Sequence, residues 1–169
     1  MEKKKKSESL KLVKIRDAIN LINQEVNLLG VVIERREPKQ CRNKAWICTL
    51  RIIDDSYHEP GLTVNVFSNK IEELPDIKNK YHNDMILFTR IKMQSFGGDG
   101  KGVSGACRQR ASSFAVYEGR RRQELQDGFV CYQYTSNFLE EAQYKSSIAY
   151  LGKVFASSSS YDEGDNILM

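Results

Sequence analysis

Residues 85–96, MILFTRIKMQSF, decide how the rest of the chain is read, because an alternating run of this length predicts a long β-strand. Side chains alternate across a strand. Met85, Leu87, Ile91 and Met93 would therefore line one face, and Ile86, Phe88, Arg90, Lys92, Gln94 and Phe96 the other. The first set is apolar and reads as core. The second ends in Arg, Lys, Gln and an aromatic ring, a composition that holds a polyanion by charge and stacks a base on a ring. An ordinary solvated face of an antiparallel sheet carries the same cations, so parity leaves both readings open. Gly97, Gly98, Asp99 and Gly100 then supply a turn, and the chain is expected to return as one partner strand through residues 103–117.

Upstream, residues 26–34, VNLLGVVIE, are dense in β-branched and apolar side chains and predict a first strand that bends at Gly30. Residues 45–54, AWICTLRIID, alternate Trp46, Cys48, Leu50 and Ile52 against Ile47, Thr49, Arg51 and Ile53, a second strand. Asp54, Asp55 and Ser56, then Pro60 and Gly61, are turn chemistry. A third strand follows, with Leu62, Val64 and Val66 on one side and Thr63, Asn65 and Phe67 on the other. Phe67 is either an end-of-strand core residue turning inward or an exposed platform. Residues 69–74, NKIEEL, start a short helix with Asn69 as cap, and Pro75 ends it. Before the first strand, Ile15, Ala18, Ile19 and Ile22 recur at helical spacing. Three strands, a helix and two strands is the order of an all-β OB-fold, a five-stranded Greek-key barrel that binds oligonucleotides on its strand 2–3 face. Another five-stranded barrel has the same order.

A chain of 169 residues holds one domain plus an appendage. Its net charge of +4 is unevenly spread: +6 over residues 1–44, −3 over 45–84, +6 over 85–122 and −5 over 123–169. The basic run at residues 3–6 has no apolar stretch of signal-peptide length behind it, so neither secretion nor a membrane span is read. It is a weak nuclear-import signal or a solvated tail. Cys41, Cys48, Cys107 and Cys131 lack zinc spacing and read as reduced thiols; His58 and His82 stand alone in polar stretches. No triad order, zinc-protease motif or phosphate-binding glycine pattern is present, and the Asp54–Asp55 pair is more simply a turn than a metal site. In residues 137–156, Phe138, Ala142, Lys145, Ile148, Ala149, Leu151 and Phe155 fit an amphipathic helix loosely, weakened by Gly152, whose apolar side needs a partner. The expected organisation is a basic disordered tail over 1–9, a nucleic-acid-binding OB-fold over 10–119, a linker and amphipathic helix over 120–156, and a disordered acidic tail over 157–169.

The run VNLLGVVIERREPKQCRNKAWICTLRIIDDSY, followed by GLTVNVFSNKIEELPDI, DMILFTRIKMQSF and SSFAVYEG, resembles the N-terminal telomere-binding OB-fold of the protection-of-telomeres family, its plant members most closely. The resemblance covers about residues 10–119 and rests on the combined order of these motifs. Weaker similarity through YTSNFLEEAQYKSSIAYLGKVFA, residues 134–156, implies the helix that leads towards a second OB-fold in relatives. By that resemblance the chain stops short of the second OB-fold and of a C-terminal partner-binding region, as a truncated isoform or divergent paralogue would. It also carries a small insertion around residues 80–83.

The resemblance implies roles residue by residue. Phe67 stacks on a base, and Phe96 stands where an aromatic stacker is usual. Arg90, Lys92 and Gln94 lie on the nucleic-acid face, and Arg42 contacts the DNA from the loop before the second strand. It implies a nuclear, non-enzymatic protein without cofactors that binds single-stranded G-rich telomeric DNA for end protection and telomere length maintenance. Its alternative is an interaction module for the telomerase ribonucleoprotein and other telomere proteins, with little DNA affinity of its own.

Overall fold

The computed structural model describes residues 11–78, 83–96, 102–108, 110–119 and 129–156. The basic run, the turn at 97–100, Arg120 to Arg122, the acidic tail, His82 and most of the insertion at 80–83 lie outside the described residues.

Period-two apolar patterning curls five strands around one interior. These are β1 (Glu25–Arg35), β3 (Trp46–Asp54), β4 (Tyr57–Ser68), β5 (Met85–Phe96) and β6 (Gly102–Arg108), in the order β1-β3-β4-β6-β5, closed by the antiparallel β1–β5 pair. The β4–β6 pair is parallel and the other pairs are antiparallel. This is the OB-fold barrel that the strand order predicted. Leu28, Leu50, Ile52, Val64, Ile86, Phe88, Ile91 and Met93 fill it and are buried. The short helix α1 (Ile15–Ala18) adds buried Ile15 and Ala18 to the same core. Three elements are satellites: β2 (Lys39–Gln40) pairs with β3, β7 (Ser113–Tyr117) extends the sheet beside β5, and β8 (Cys131–Tyr134) pairs with β7.

Several expectations are corrected. The helix near the N-terminus is four residues long, stopping before Ile19 and Ile22. Only Asp55 and Ser56 form the β3–β4 turn; Pro60 and Gly61 lie inside β4. The segment after β4 is a single 3-10 turn, Ile71–Glu73, with Lys70 and not Asn69 at its N-cap position and no side-chain capping bond from it. The return path is two strands, broken between Arg108 and Ser113, and the two halves pair with different halves of β5.

The largest correction concerns β5 itself. Met85 and Leu87 do not share a face with Ile91 and Met93, because Arg90 has a positive φ of 56° and the register against β1 slips between Val26 and Leu28. One extra residue on β5 reverses the side-chain parity. Before the bulge, Ile86 and Phe88 point into the barrel; after it, Ile91 and Met93 do. Met85 and Leu87 instead join Leu29, Val31, Ala115 and Tyr117 in a second apolar cluster on the barrel's outside. The C-terminal helix α2 (Ala142–Val154) covers that cluster with Tyr144, Ile148 and Leu151. The partner its apolar side required is thus this chain's own barrel. Gly152 serves the packing: the Phe129 ring occupies the space a Cβ would need.

Candidate nucleic-acid interface

Covering one outer face of β5 with α2 leaves the other open. Beyond the bulge, Lys92 and Phe96 are exposed and Gln94 is half-buried, all on the outside of the barrel. Strand register sets what stands beside them. Lys92 pairs with Ala106, which pairs with Asn65, which pairs with Thr49. Gln94, Ser104, Thr63 and Arg51 form the next row, and Phe96 sits opposite Gly102 beyond it. On the other side of the Asn65 row lies Arg108, Phe67, Ile47 and Lys39. Rows two residues apart repeat at roughly 6.7 Å, which separates the Phe67 and Phe96 ends of the face by roughly 20 Å.

Phe67 therefore lies half-buried on the outer face and does not turn into the core. The Arg108 guanidinium lies over its ring, 5.0 Å from the centroid. Arg108 was missed in the sequence, where residues 103–117 read as one strand with no parity assigned. Phe96 is 54% exposed and does not turn into the core. Its ring lies across Gly102, where a Cβ would approach the ring carbons to 2.5 Å. Arg42 is exposed at the tip of the β2–β3 turn, closed by the Cys41 N–H donating to the Ala45 carbonyl at 2.7 Å. This turn extends from the Phe67 end of the face, since β2 pairs Lys39 with Ile47.

Arg90 is placed differently from its expected neighbours. It occupies the bulge, where its N–H donates to Asn27 Oδ1 at 2.9 Å and its carbonyl accepts from Ser112 Oγ at 2.8 Å. Asn27 in turn donates to the Tyr144 hydroxyl at 3.2 Å, tying the bulge to α2. The Arg90 side chain faces Glu25 at 3.7 Å. Among the described residues, Lys39, Arg42, Lys44, Lys92 and Arg108 form no ion pair, so their charge is open to an anion.

The remaining candidates for chemistry are structural. Asp54 accepts from the Ile15 N–H at 2.9 Å and from Ser56, and Asp55 accepts from Lys14 at 2.8 Å. The four cysteines are free thiols. Cys107, behind Phe67, is fully buried, which pushes its thiol up to about 12 and keeps it unreactive. No helix among the described residues is long and apolar enough to cross a membrane.

Over residues 6–164 the chain matches the family described as telomeric single-stranded DNA binding POT1/CDC13. It is 62% identical over 156 residues to Protection of telomeres protein 1a of Arabidopsis thaliana, covering 92% of this chain and 31% of that protein. It is 67% identical over 115 residues to Protection of telomeres protein 1c of the same plant, covering 68% of this chain and 78% of that protein. The chain thus spans about a third of the length of the first relative. A crystal structure of a Pot1–ssDNA complex superposes with a TM-score of 0.56 at 21% identity over 78% of this chain and 75% of that one. One of fission yeast Pot1 with ssDNA gives 0.57 at 21%, over 78% and 42%. At that identity the likeness is one of fold. With a family match across nearly the whole chain and a closed barrel in the expected strand order, this protein belongs to the telomeric single-stranded-DNA-binding POT1/CDC13 family.

Proposed function

We propose that the open face of the barrel binds single-stranded G-rich telomeric DNA at chromosome ends in the nucleus, contributing to end protection and telomere length maintenance without enzymatic activity. The observation that carries this reading is the alignment of Phe67, Lys92, Gln94 and Phe96 on one uncovered face, with Arg108 over the Phe67 ring. Aromatic platforms contribute roughly 1–3 kcal/mol per stacked base, and free cations add a salt-dependent phosphate term. Arg42 reaches the strand from the β2–β3 turn, and Arg90 contributes from its bulge once it exchanges Glu25 for phosphate.

Titration with a telomeric single strand at several salt concentrations, with a scrambled strand as control, tests the reading. Saturable binding that favours the telomeric sequence is expected, and no binding at low salt would sink it. A second reading, association with the telomerase ribonucleoprotein and other telomere proteins, draws on apolar side chains exposed around α2: Leu139, Tyr150 and Val154. Co-purification of the ribonucleoprotein with the Phe67→Ala, Phe96→Ala double variant separates the two, because that variant alters only the proposed DNA face.

A further inference from the structure

One row in from the Phe67 end, Asn65 stands on the open face with Thr49 on one side and Ala106 on the other. The Thr49 hydroxyl donates to Asn65 Oδ1 at 2.8 Å. That bond turns the carbonyl half of the amide towards β3. The NH2 half is left on the side of Ala106, where the described residues offer it no partner and where the small, buried alanine makes a low floor. Phe67 is two residues along the same strand face, so a base stacked on its ring has its neighbour over this row.

An unrestrained asparagine pairs bidentately with adenine, donating to N7 and accepting from the N6 amino group. Here the Thr49 hydroxyl takes one of the two lone pairs of the accepting half and holds that half against β3. What the amide presents to the groove is a pair of N–H donors, complementary to a base edge made only of acceptors. Guanine O6 and N7 form such an edge; adenine, with a donor beside N7, does not. We propose that Asn65 is the guanine-reading residue of this face and that Thr49 is its positioning residue, which makes it reject adenine. The proposal rests on the single-stranded DNA reading above and deepens it.

The test uses the full chain and G-rich telomeric single strands in which each dG is replaced in turn by dA or by 7-deaza-dG, which lacks the N7 acceptor. In the wild-type protein, one dG position is expected to lose affinity about 10-fold with either replacement. With Asn65→Ala, the unmodified strand binds about 10-fold more weakly and neither replacement at that position costs more. With Thr49→Val, the dA penalty at that position collapses to within about twofold, and Thr49→Ser restores it. Thermal melting of the same samples checks that these half-buried surface positions leave the fold intact. If Asn65→Ala binds but shows the wild-type replacement profile, or loses affinity equally for an all-dT strand, the assignment is overturned while the DNA-binding reading stands. If the wild-type chain binds no single strand, both fall together.

Discussion

Phe96 and Lys92 lie four residues apart on one strand face, yet they should contribute to binding in separable ways. Phe96→Ala is expected to cost about 1–3 kcal/mol of single-strand affinity with the salt slope nearly unchanged, because a ring stacks and releases no counterions. Its exposure of 54% means that the melting temperature should barely move, unlike the roughly 3–5 kcal/mol expected for a buried aromatic. Lys92→Ala should weaken all single strands alike and reduce the slope of log affinity against log salt by about 0.7. Gly102→Ala offers a control that replaces neither side chain: its Cβ would push the Phe96 ring off its seat, so it should reproduce the Phe96→Ala loss. Fluorescence anisotropy across a salt series, with melts on the same samples, reads all three variants.

At the scale of elements, the bulge at Arg90 and the helix α2 form one arrangement. The bulge reverses parity so that one strand serves two apolar clusters, and α2 covers the outward one. Gly152 tests how closely α2 is seated. Helix propensity alone favours alanine there by about 1 kcal/mol. A Cβ, however, would enter the Phe129 ring, and overpacking costs about 1–3 kcal/mol. Gly152→Ala should therefore lower stability, and a Phe129→Ala background should abolish or reverse the effect. Denaturant melts of the two single variants and the double variant measure that coupling. An outcome in which Gly152→Ala alone stabilises the protein would mean that α2 does not pack as closely as described.

For the whole molecule, closure depends on polar groups buried between segments far apart in sequence. Asp84 accepts from the Gly119 N–H at 2.6 Å and from the Tyr132 hydroxyl, so the start of β5, the end of β7 and β8 meet at one carboxylate. Burial, reinforced by Asp84, raises the Tyr132 phenol well above its ordinary value of 10, and burial does the same to Tyr117. A group raised in the folded state stabilises it fully below its unfolded pKa and loses that contribution as pH rises through the folded one. The contribution of these tyrosines to stability should thus be constant below about pH 10 and fall progressively above it. Tyr132→Phe should cost about 1–3 kcal/mol at neutral pH, since Asp84 loses a buried partner, and should flatten the alkaline decline. Tyrosinate absorbance and circular dichroism followed together against pH check both statements.

The amino-acid sequence by itself determined the first four strands of the barrel and the polar side of its open face, but not the break that divides the return path into two strands. Each of those signals is local: alternation in TLRIID and TVNVF marks which side of a strand is apolar whatever lies across from it. Lys92, Gln94 and Phe96 were legible for that reason, whereas alternation alone left Phe67 between the core and the surface. Tertiary structure decided the rest. Parity across residues 85–96 breaks at a bulge held by Asn27 and Ser112, partners distant in sequence, and no pattern within the strand encodes it. Whether Met85 and Leu87 face the barrel's interior or a helix likewise depends on α2 arriving from residues 142–154. Arg108 and Asn65 acquire their places through register, which sets the first over the Phe67 ring and the second against Thr49. Strand pairing is a non-local choice, settled only when the barrel closes.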